Sequence, residues 1–250
     1  MRWRPLFALV LPVVLGGWVT DDVPLPRGLD ARAIDEDCAT VAPPRVRRSV
    51  ALPSASGRSI GDLDRAACER ALRDGGVAFE RVPQAEARGV EYPIRLAGAV
   101  HGVRIEPGEG VHAVIDCRLA VALAAWAPDL RAQGVARIEH VSIYRPGARV
   151  AGGRRVSGHA HALAIDALAF VLDDGTRLSV LEAWSDRDRG DDPCAEHDTD
   201  DDATRRMRGA ICAAVQRDLF QVVLTPHHDA AHANHVHLEI RPGVDWTYVR

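Results

Sequence analysis

The chain has 250 residues and a formal net charge of -4, with no excess of basic side chains. A chain of this length can bury a sizeable core, and it suits one large domain or one domain with a smaller companion. The charge balance provides no basic field of the kind that binds phosphate backbones, so we expect no nucleic-acid partner.

Residues 1–20 have the pattern of a targeting segment. Arg2 and Arg4 make the start positive, and Leu6 to Val19 is almost entirely apolar but short for a membrane span. The pattern predicts a signal peptide. No small-x-small cleavage site follows, so an uncleaved membrane anchor remains an alternative. In both cases we expect the rest of the chain to be periplasmic or extracellular, either free or anchored to the membrane.

The cysteine content also favours an oxidising compartment, in which thiols pair and disulfides persist. Sequence does not determine the connectivity, and an odd number leaves at least one thiol unpaired. We expect Cys194 to pair with Cys212, which closes an acidic loop, and Cys68 to pair with Cys117. The alternative is that some of them are buried thiols. The five residues are Cys38, Cys68, Cys117, Cys194 and Cys212.

The first half of the chain predicts a lead-in followed by a small α/β region, together residues 21–110. Asp21 to Ser59 is rich in Pro, Arg, Asp and Ser and has little periodicity, which indicates loose structure. A helix is predicted from Leu63 to Arg73, with Asp62 as its cap and Gly75-Gly76 at its end. Short strands are predicted at Val77 to Phe79, Pro93 to Leu96 and Val100 to Ile105.

A longer helix is predicted to begin at Cys117, with Asp116 capping its first turn and Gly134 after its end. Its apolar residues recur at helical spacing, which is typical of a helix packed on a core. The alternation from Ile138 to Tyr144 then predicts a half-buried strand. The apolar residues of the helix are Leu119, Leu123, Trp126 and Leu130.

A hairpin is predicted where Leu163 to Leu172 and Arg177 to Trp184 flank Asp173-Asp174-Gly175. A last helix from Asp202 to Leu219 would bury Met207 and Ile211 and keep its arginines, Arg208 among them, largely off that face. A strand follows at Phe220 to Leu224. This mixture predicts an α+β fold with a small antiparallel sheet flanked by helices. We expect the main domain to span residues 111–250.

The chain clusters its histidines at two places. A catalytic zinc typically takes three protein ligands and leaves a fourth position for water. His159 lies seven positions before Asp166, which falls within a predicted strand, and His235 and His237 lie two apart and therefore on one strand face. Each histidine alone is more typical of a core or surface position. Together the two clusters predict one zinc site.

The pattern Ser157-x-His159-x-x-Ala162-x-Ala164-x-Asp166, followed by His235-x-His237, resembles the zinc signature of a known fold. This fold is shared by lysostaphin-type endopeptidases, D-alanyl-D-alanine carboxypeptidases and the hedgehog signalling domain. The stretches Ser157 to Asp166, Val223 to Pro226 and Ala230 to Leu238 resemble the bacterial extensin-like C-terminal domain more closely. The resemblance covers roughly Asp116 to Ile240.

The resemblance implies that His159, Asp166 and His237 bind one Zn²⁺ ion. It places His235 beside the metal as base or electrostatic partner, and His232 as an outer histidine that could replace it as base. Ser142-Ile-Tyr-Arg145 is similar to a stretch of the carboxypeptidases, which makes Arg145 a candidate for holding a substrate carboxylate or an oxyanion. The alternative for Arg145 is a surface salt bridge.

Two departures from the related families bear on function. Asn234 occupies the position where the carboxypeptidases carry a glutamate base, and an amide cannot accept a proton. Tyr144 and Val90 occupy positions where we expect extensin-like relatives to carry cysteine, which puts the family disulfide pattern in doubt here.

The sequence therefore predicts an exported, monomeric zinc-dependent hydrolase of peptide bonds in cell-wall peptidoglycan, of endopeptidase or carboxypeptidase type. The alternative is a catalytically inactive, zinc-containing module that binds the cell wall. A sugar-cleaving enzyme using Glu182 or Asp186 is a third reading, but the spacing singles out no pair of carboxylates.

Overall fold

The computed structural model describes residues 56–150, 153–184, 191–195 and 200–250. All of these belong to one compact unit, Arg47–Arg250. The predicted leader, the lead-in before residue 56 and Cys38 lie outside the described residues. Within the described part, no helix combines the length and the apolar character needed to span a bilayer.

In the described part, helices and strands are interspersed along the chain, and the strands form two sheets. In chain order the elements are α1 (Gly57–Gly61), α2 (Arg65–Asp74), β1 (Phe79–Arg81), β2 (Pro93–Leu96), β3 (Arg104–Glu106), a 3-10 helix (Gly110–Ala113), β4 (Ile115–Asp116), α3 (Cys117–Ala132), β5 (Val135–Ser142), a 3-10 helix (Gly158–His161), β6 (Ala164–Leu172), β7 (Arg177–Ser179), α4 (Val180–Ala183), α5 (Asp202–Gln216), β8 (Val222–Leu224), a 3-10 helix (Ala230–His232), β9 (Val236–Glu239) and β10 (Tyr248–Val249).

The main sheet has seven strands in the order β10-β8-β9-β6-β5-β3, with β7 also paired to β6. Its centre is antiparallel, whereas the outer pairs β3 with β5 and β8 with β10 are parallel. The prediction of a mixed fold of helices and sheet is confirmed. The sheet is larger than the predicted one and is mixed rather than wholly antiparallel. A second, three-stranded antiparallel sheet has the order β1-β2-β4.

Helix α3 lies at the centre of the hydrophobic core. Asp116 caps it by accepting a hydrogen bond from the Arg118 backbone nitrogen, as predicted. Trp126 meets Phe170 and Phe220 edge to face, at ring-centroid distances of 5.9 and 5.8 Å, and its indole donates to the Ala210 carbonyl. The helix therefore joins the main sheet to α5. The four residues of the predicted apolar stripe are all buried.

Two details of helix α5 differ from the prediction. The helix ends at Gln216 instead of Leu219, because Asp218 adopts a left-handed backbone conformation that no helix can continue through. Arg208 is buried rather than on the polar face. It forms an ion pair with the buried Asp200 and donates to carbonyls of the segment 191–195, which folds over this side of the helix.

The ends of some helices and strands also differ from the predicted ones. Helix α2 begins at Arg65 with Asp64 as its cap, because Asp62 instead ends the preceding short helix α1. The second strand of the predicted hairpin stops at Ser179, and the chain turns into α4 before Trp184. The boundary that we placed at residue 110 remains a prediction.

Both expected disulfides are present. Cys68–Cys117 links α2 to the start of α3, and Cys194–Cys212 links the segment 191–195 to α5. Two disulfides within one compact unit indicate an oxidising compartment, such as the periplasm or the extracellular space.

Candidate metal centre

Strand pairing brings Asp166 and His237 together. β6 and β9 are antiparallel neighbours, and these two residues are directly opposite each other in the ladder. Directly opposite residues on one face of such a pair have their Cβ atoms about 5 Å apart. Two residues far apart in sequence are thus positioned by the register of two central strands.

His159 reaches the same point from the 3-10 helix just before β6. Ser157 precedes this helix, and its hydroxyl accepts a hydrogen bond from the His159 backbone nitrogen. Gly158 is required here, because a Cβ at this position would lie 2.6 Å from the Glu239 Cδ atom. The Ser-Gly-His sequence therefore gives a tight turn whose histidine points at the strand pair.

Three potential ligand atoms converge at this point. His159 Nε2 is 3.0 Å from Asp166 Oδ1 and 3.2 Å from His237 Nδ1, and His237 Nδ1 is 2.9 Å from Asp166 Oδ1. A tetrahedral zinc ion with bonds of about 2.0 to 2.1 Å places its ligand atoms about 3.3 Å apart. Small side-chain rotations would therefore fit the three atoms around one ion.

In His159 and His237, the ring nitrogen that faces away from Asp166 makes a hydrogen bond that fixes the orientation of the ring. His159 Nδ1 donates to the Ile143 carbonyl at 3.0 Å, with the Ser142 hydroxyl 3.2 Å from the same nitrogen. His237 Nε2 donates to Glu239 Oε2 at 3.0 Å. With a metal bound, each ring would therefore present its other nitrogen, unprotonated, to the ion, as metal-binding histidines do.

The charges of this buried group call for a cation. Burial alone would raise the pKa of Asp166. Hydrogen bonds with His159 and His237 have the larger effect and hold the pKa below its ordinary value, so the residue is a carboxylate. Burial alone would lower the pKa of His237, but hydrogen bonds to Asp166 and Glu239 raise it to about 9. The site thus stabilises positive charge between two carboxylates. Once His237 has released the proton on Nδ1, two imidazole nitrogens and a carboxylate oxygen would suit zinc in that role.

His235 lies beside the three ligand atoms. Its Nε2 is 3.6 Å from Asp166 Oδ1, and its Nδ1 donates to Asn234 Oδ1 at 2.9 Å. Burial lowers the pKa of His235, which favours the neutral ring. Asn234 therefore orients the neighbouring imidazole with its Nε2 lone pair toward the site.

His232 lies next to His235 and His237, and its role as an outer histidine remains a prediction. Its ring centroid is 5.0 Å from that of His235 and 6.2 Å from that of His237. Its Nδ1 lies 2.6 Å from Asp229 Oδ1.

Arg145 lies at the exposed side of the group. One terminal nitrogen is 3.6 Å from Asp166 Oδ2, and more than half of its side chain is exposed. We considered a surface salt bridge as the alternative for Arg145, and the ion pair that it makes is with the buried Asp166. The rest of the Arg145 side chain remains accessible from solvent.

Sequence reasoning missed the orienting role of Glu239. This residue is two positions after His237, so it lies on the same strand face, and that spacing was the available signal. Its second oxygen forms an ion pair with Arg241, whose Nε lies 2.9 Å away, and this contact helps to hold the carboxylate in place. His161, by contrast, turns away from the site and donates to the Gly89 carbonyl.

A hydrogen bond links the segments around Tyr144 and Val90. The Tyr144 hydroxyl donates to the Arg88 carbonyl at 2.9 Å, two residues before the buried Val90. The two segments expected to carry cysteines in relatives are therefore joined non-covalently here.

The fold and the site define a class: a mixed α/β protein, disulfide-linked, with a buried His-Asp-His group at the centre of its main sheet. The family model described as the extensin-like protein C-terminus matches residues 66–250, so the chain belongs to this family. The match begins well before Asp116, where we placed the resemblance, and includes the three-stranded sheet. No curated protein and no solved structure matches the chain. The wider likeness to lysostaphin-type peptidases remains a prediction.

Proposed function

We propose that this protein is an exported zinc-dependent hydrolase of peptide bonds in cell-wall peptidoglycan, of endopeptidase or carboxypeptidase type. The observation that carries the proposal is the convergence of His159 Nε2, Asp166 Oδ1 and His237 Nδ1 to within 3.2 Å of one another. Three protein ligands are the number found in catalytic zinc sites, where a fourth position is left for water or substrate.

A zinc ion held by these residues supplies Lewis-acid chemistry, lowering the pKa of a bound water toward neutrality and polarising a carbonyl. His235 is the proposed proton acceptor, because its Nε2 faces the same carboxylate and its Nδ1 is already bonded to Asn234. Arg145 would hold a substrate carboxylate or stabilise the developing oxyanion, since its planar guanidinium pairs with both.

The substrate class is proposed from the sequence and the compartment. The motif resembles peptidases of bacterial cell walls, and the two disulfides agree with action outside the cytoplasm. The half-exposed Arg145 adds a cation at the site, which suits a peptide that bears a carboxylate.

A second candidate is a zinc-containing module that binds peptidoglycan without cleaving it. The observation that favours it is Asn234, whose side chain bonds to His235 and cannot act as a base. In that case the metal would only stabilise the loops that carry the histidines.

The test is to incubate the purified protein with purified peptidoglycan, with and without chelator, and to analyse the released peptides by mass spectrometry. We expect release by the native protein, loss of release with chelator and with His159→Ala, and unchanged release with the control His161→Asn. Release that survives His159→Ala would refute the mechanism. Binding to sedimented peptidoglycan without any release would favour the binding module.

A further inference from the structure

A second group of potential ligands lies beside the first. His228, Asp229 and His232 each offer one ligand atom, and these atoms all lie within 4.8 Å of one another. The group occupies the loop between β8 and β9, the loop that also leads to His235 and His237. None of its members belongs to the His-Asp-His group described above.

Asp229 is the fixed member of this group. Its Oδ1 accepts hydrogen bonds from the backbone nitrogens of Ala231 and His232, at 2.9 and 3.2 Å, because it caps the 3-10 helix Ala230–His232. The turn places His232 three residues later next to the same oxygen. The carboxylate is thus held by the backbone rather than by side chains alone.

An imidazole lies next to each oxygen of this carboxylate. His232 Nδ1 is 2.6 Å from Oδ1, and His228 Nε2 is 3.4 Å from Oδ2. The two rings are 5.2 Å apart, centroid to centroid. An ion placed between them would contact two nitrogens and one or both oxygens.

We propose that His228, Asp229 and His232 bind a second divalent transition-metal ion, of the zinc type. Two imidazoles and one carboxylate suit zinc and its neighbours in the first transition row, whereas Mg²⁺ and Ca²⁺ prefer oxygen ligands throughout. The potential ligand atoms lie within 4.8 Å of one another, and a bound tetrahedral ion would draw them to a separation of roughly 3.3 Å.

Exposure distinguishes the two sites. The three side chains of the second group retain 29%, 34% and 18% of their accessible surface, against less than 10% for each member of the first group. An ion at the second site is therefore reached directly from solvent and keeps water ligands. We expect it to bind more weakly and to exchange faster than the ion at the first site.

The second ion would also determine which histidine can act as the proton acceptor. His232 contacts His235 and His237 across their rings, so the two sites are adjacent. A His232 that binds the second ion cannot serve as the proton acceptor, which leaves that role to His235. The metal site itself does not depend on whether the protein hydrolyses peptides.

The test is to remove metal from the full chain with chelator, to titrate Zn²⁺ into it calorimetrically and to measure bound zinc after equilibrium dialysis. We expect two ions per chain, bound in two steps. His228→Asn and Asp229→Asn should each abolish the weaker step and keep the tighter one. His159→Gln should do the reverse. His112→Asn, an imidazole of the turn Gly110–Ala113 outside both groups, should leave both steps unchanged.

Circular dichroism verifies that each variant is folded, and two independent substitutions guard against one that is not. Saturation of the native protein at one ion that His228→Asn and Asp229→Asn both retain would overturn the proposal. So would a second step that persists in both folded variants, because the second ion would then lie elsewhere. A single ion that is lost in His228→Asn and Asp229→Asn but retained in His159→Gln would contradict the first site and leave the second standing.

Discussion

Glu239 determines which nitrogen of His237 faces the metal centre. Because its carboxylate accepts a hydrogen bond from Nε2, Nδ1 faces Asp166 and is the nitrogen available to a metal ion. Glu239→Gln retains the size of the side chain but removes the negative charge, and we expect zinc affinity to fall roughly 10- to 100-fold. Competition with a chromophoric chelator measures this. Glu139→Gln, in a partly exposed ion pair with Arg177, is the control and should leave affinity unchanged.

Gly158 provides a second test of the same contact. A methyl group at this position would meet the Glu239 Cδ at 2.6 Å and push the carboxylate away from His237. Gly158→Ala should therefore weaken zinc binding by about 10-fold or more. At Gly153 the nearest atom to an added Cβ is at 3.6 Å, so Gly153→Ala should bind zinc normally. Equal affinity in the two variants would contradict the role of Glu239.

His140 makes folding pH-dependent. It is 3% exposed, and burial lowers its pKa to about 4, although the Pro107 backbone and Asp166 partly oppose this. The folded protein thus keeps His140 neutral at pH values where the unfolded chain, with a pKa near 6.5, already binds a proton. The contribution of His140 to the free energy of unfolding should be complete above pH 6.5. The free energy of unfolding should then fall by about 3 kcal/mol as the pH drops from 6.5 to 4.

Urea denaturation at a series of pH values, carried out on the native protein and on His140→Leu, isolates this contribution. The difference between the two proteins should change with pH over that interval and be constant above it. A parallel pH dependence in both proteins would show that His140 does not contribute.

The grouping of His159, Asp166 and His237 could be predicted because their spacing is a recognisable motif, and the structure brings the three side chains together. The roles of Asn234 and Glu239 could not, since each depends on which way a side chain turns after the strands have paired. The burial of Arg208 likewise depends on a segment, 191–195, that packs over it from a distant part of the chain.

The two disulfides differ in the length of chain they close. Cys68–Cys117 spans 49 residues and Cys194–Cys212 spans 18. Loop entropy predicts contributions of about 4 and about 3 kcal/mol respectively. The paired substitutions Cys68→Ser with Cys117→Ser should therefore lower the free energy of unfolding more than Cys194→Ser with Cys212→Ser. Urea denaturation under oxidising conditions measures both, and the opposite order would contradict the loop-entropy explanation.

Elements with strong local signals were predicted well. α3 begins at its predicted cap, and β2 matches its predicted bounds, Pro93–Leu96. β10 was not predicted, and β3 was placed too early, because each is short and pairs in parallel with a distant strand. Parallel pairing leaves no turn signal between the partners, so sequence periodicity alone cannot reveal it.

At the scale of the whole molecule, the candidate metal centre depends on strand register. Asp166 and His237 are opposite each other only because β6 and β9 pair as they do. A slip by one residue would turn His237 and Glu239 toward the core and Val236 and Leu238 toward the site. The buried Val236 and Leu238 prevent this, since they pack in the hydrophobic core on the other face. The core thus holds the ligands in position.

The most direct test of the metal centre is anomalous diffraction at the zinc absorption edge from crystals of the zinc-loaded protein. Our account predicts a peak about 2 Å from each of His159 Nε2, Asp166 Oδ1 and His237 Nδ1. Absence of a peak there at zinc saturation, or a peak bound through other atoms with these three side chains turned away, would contradict it.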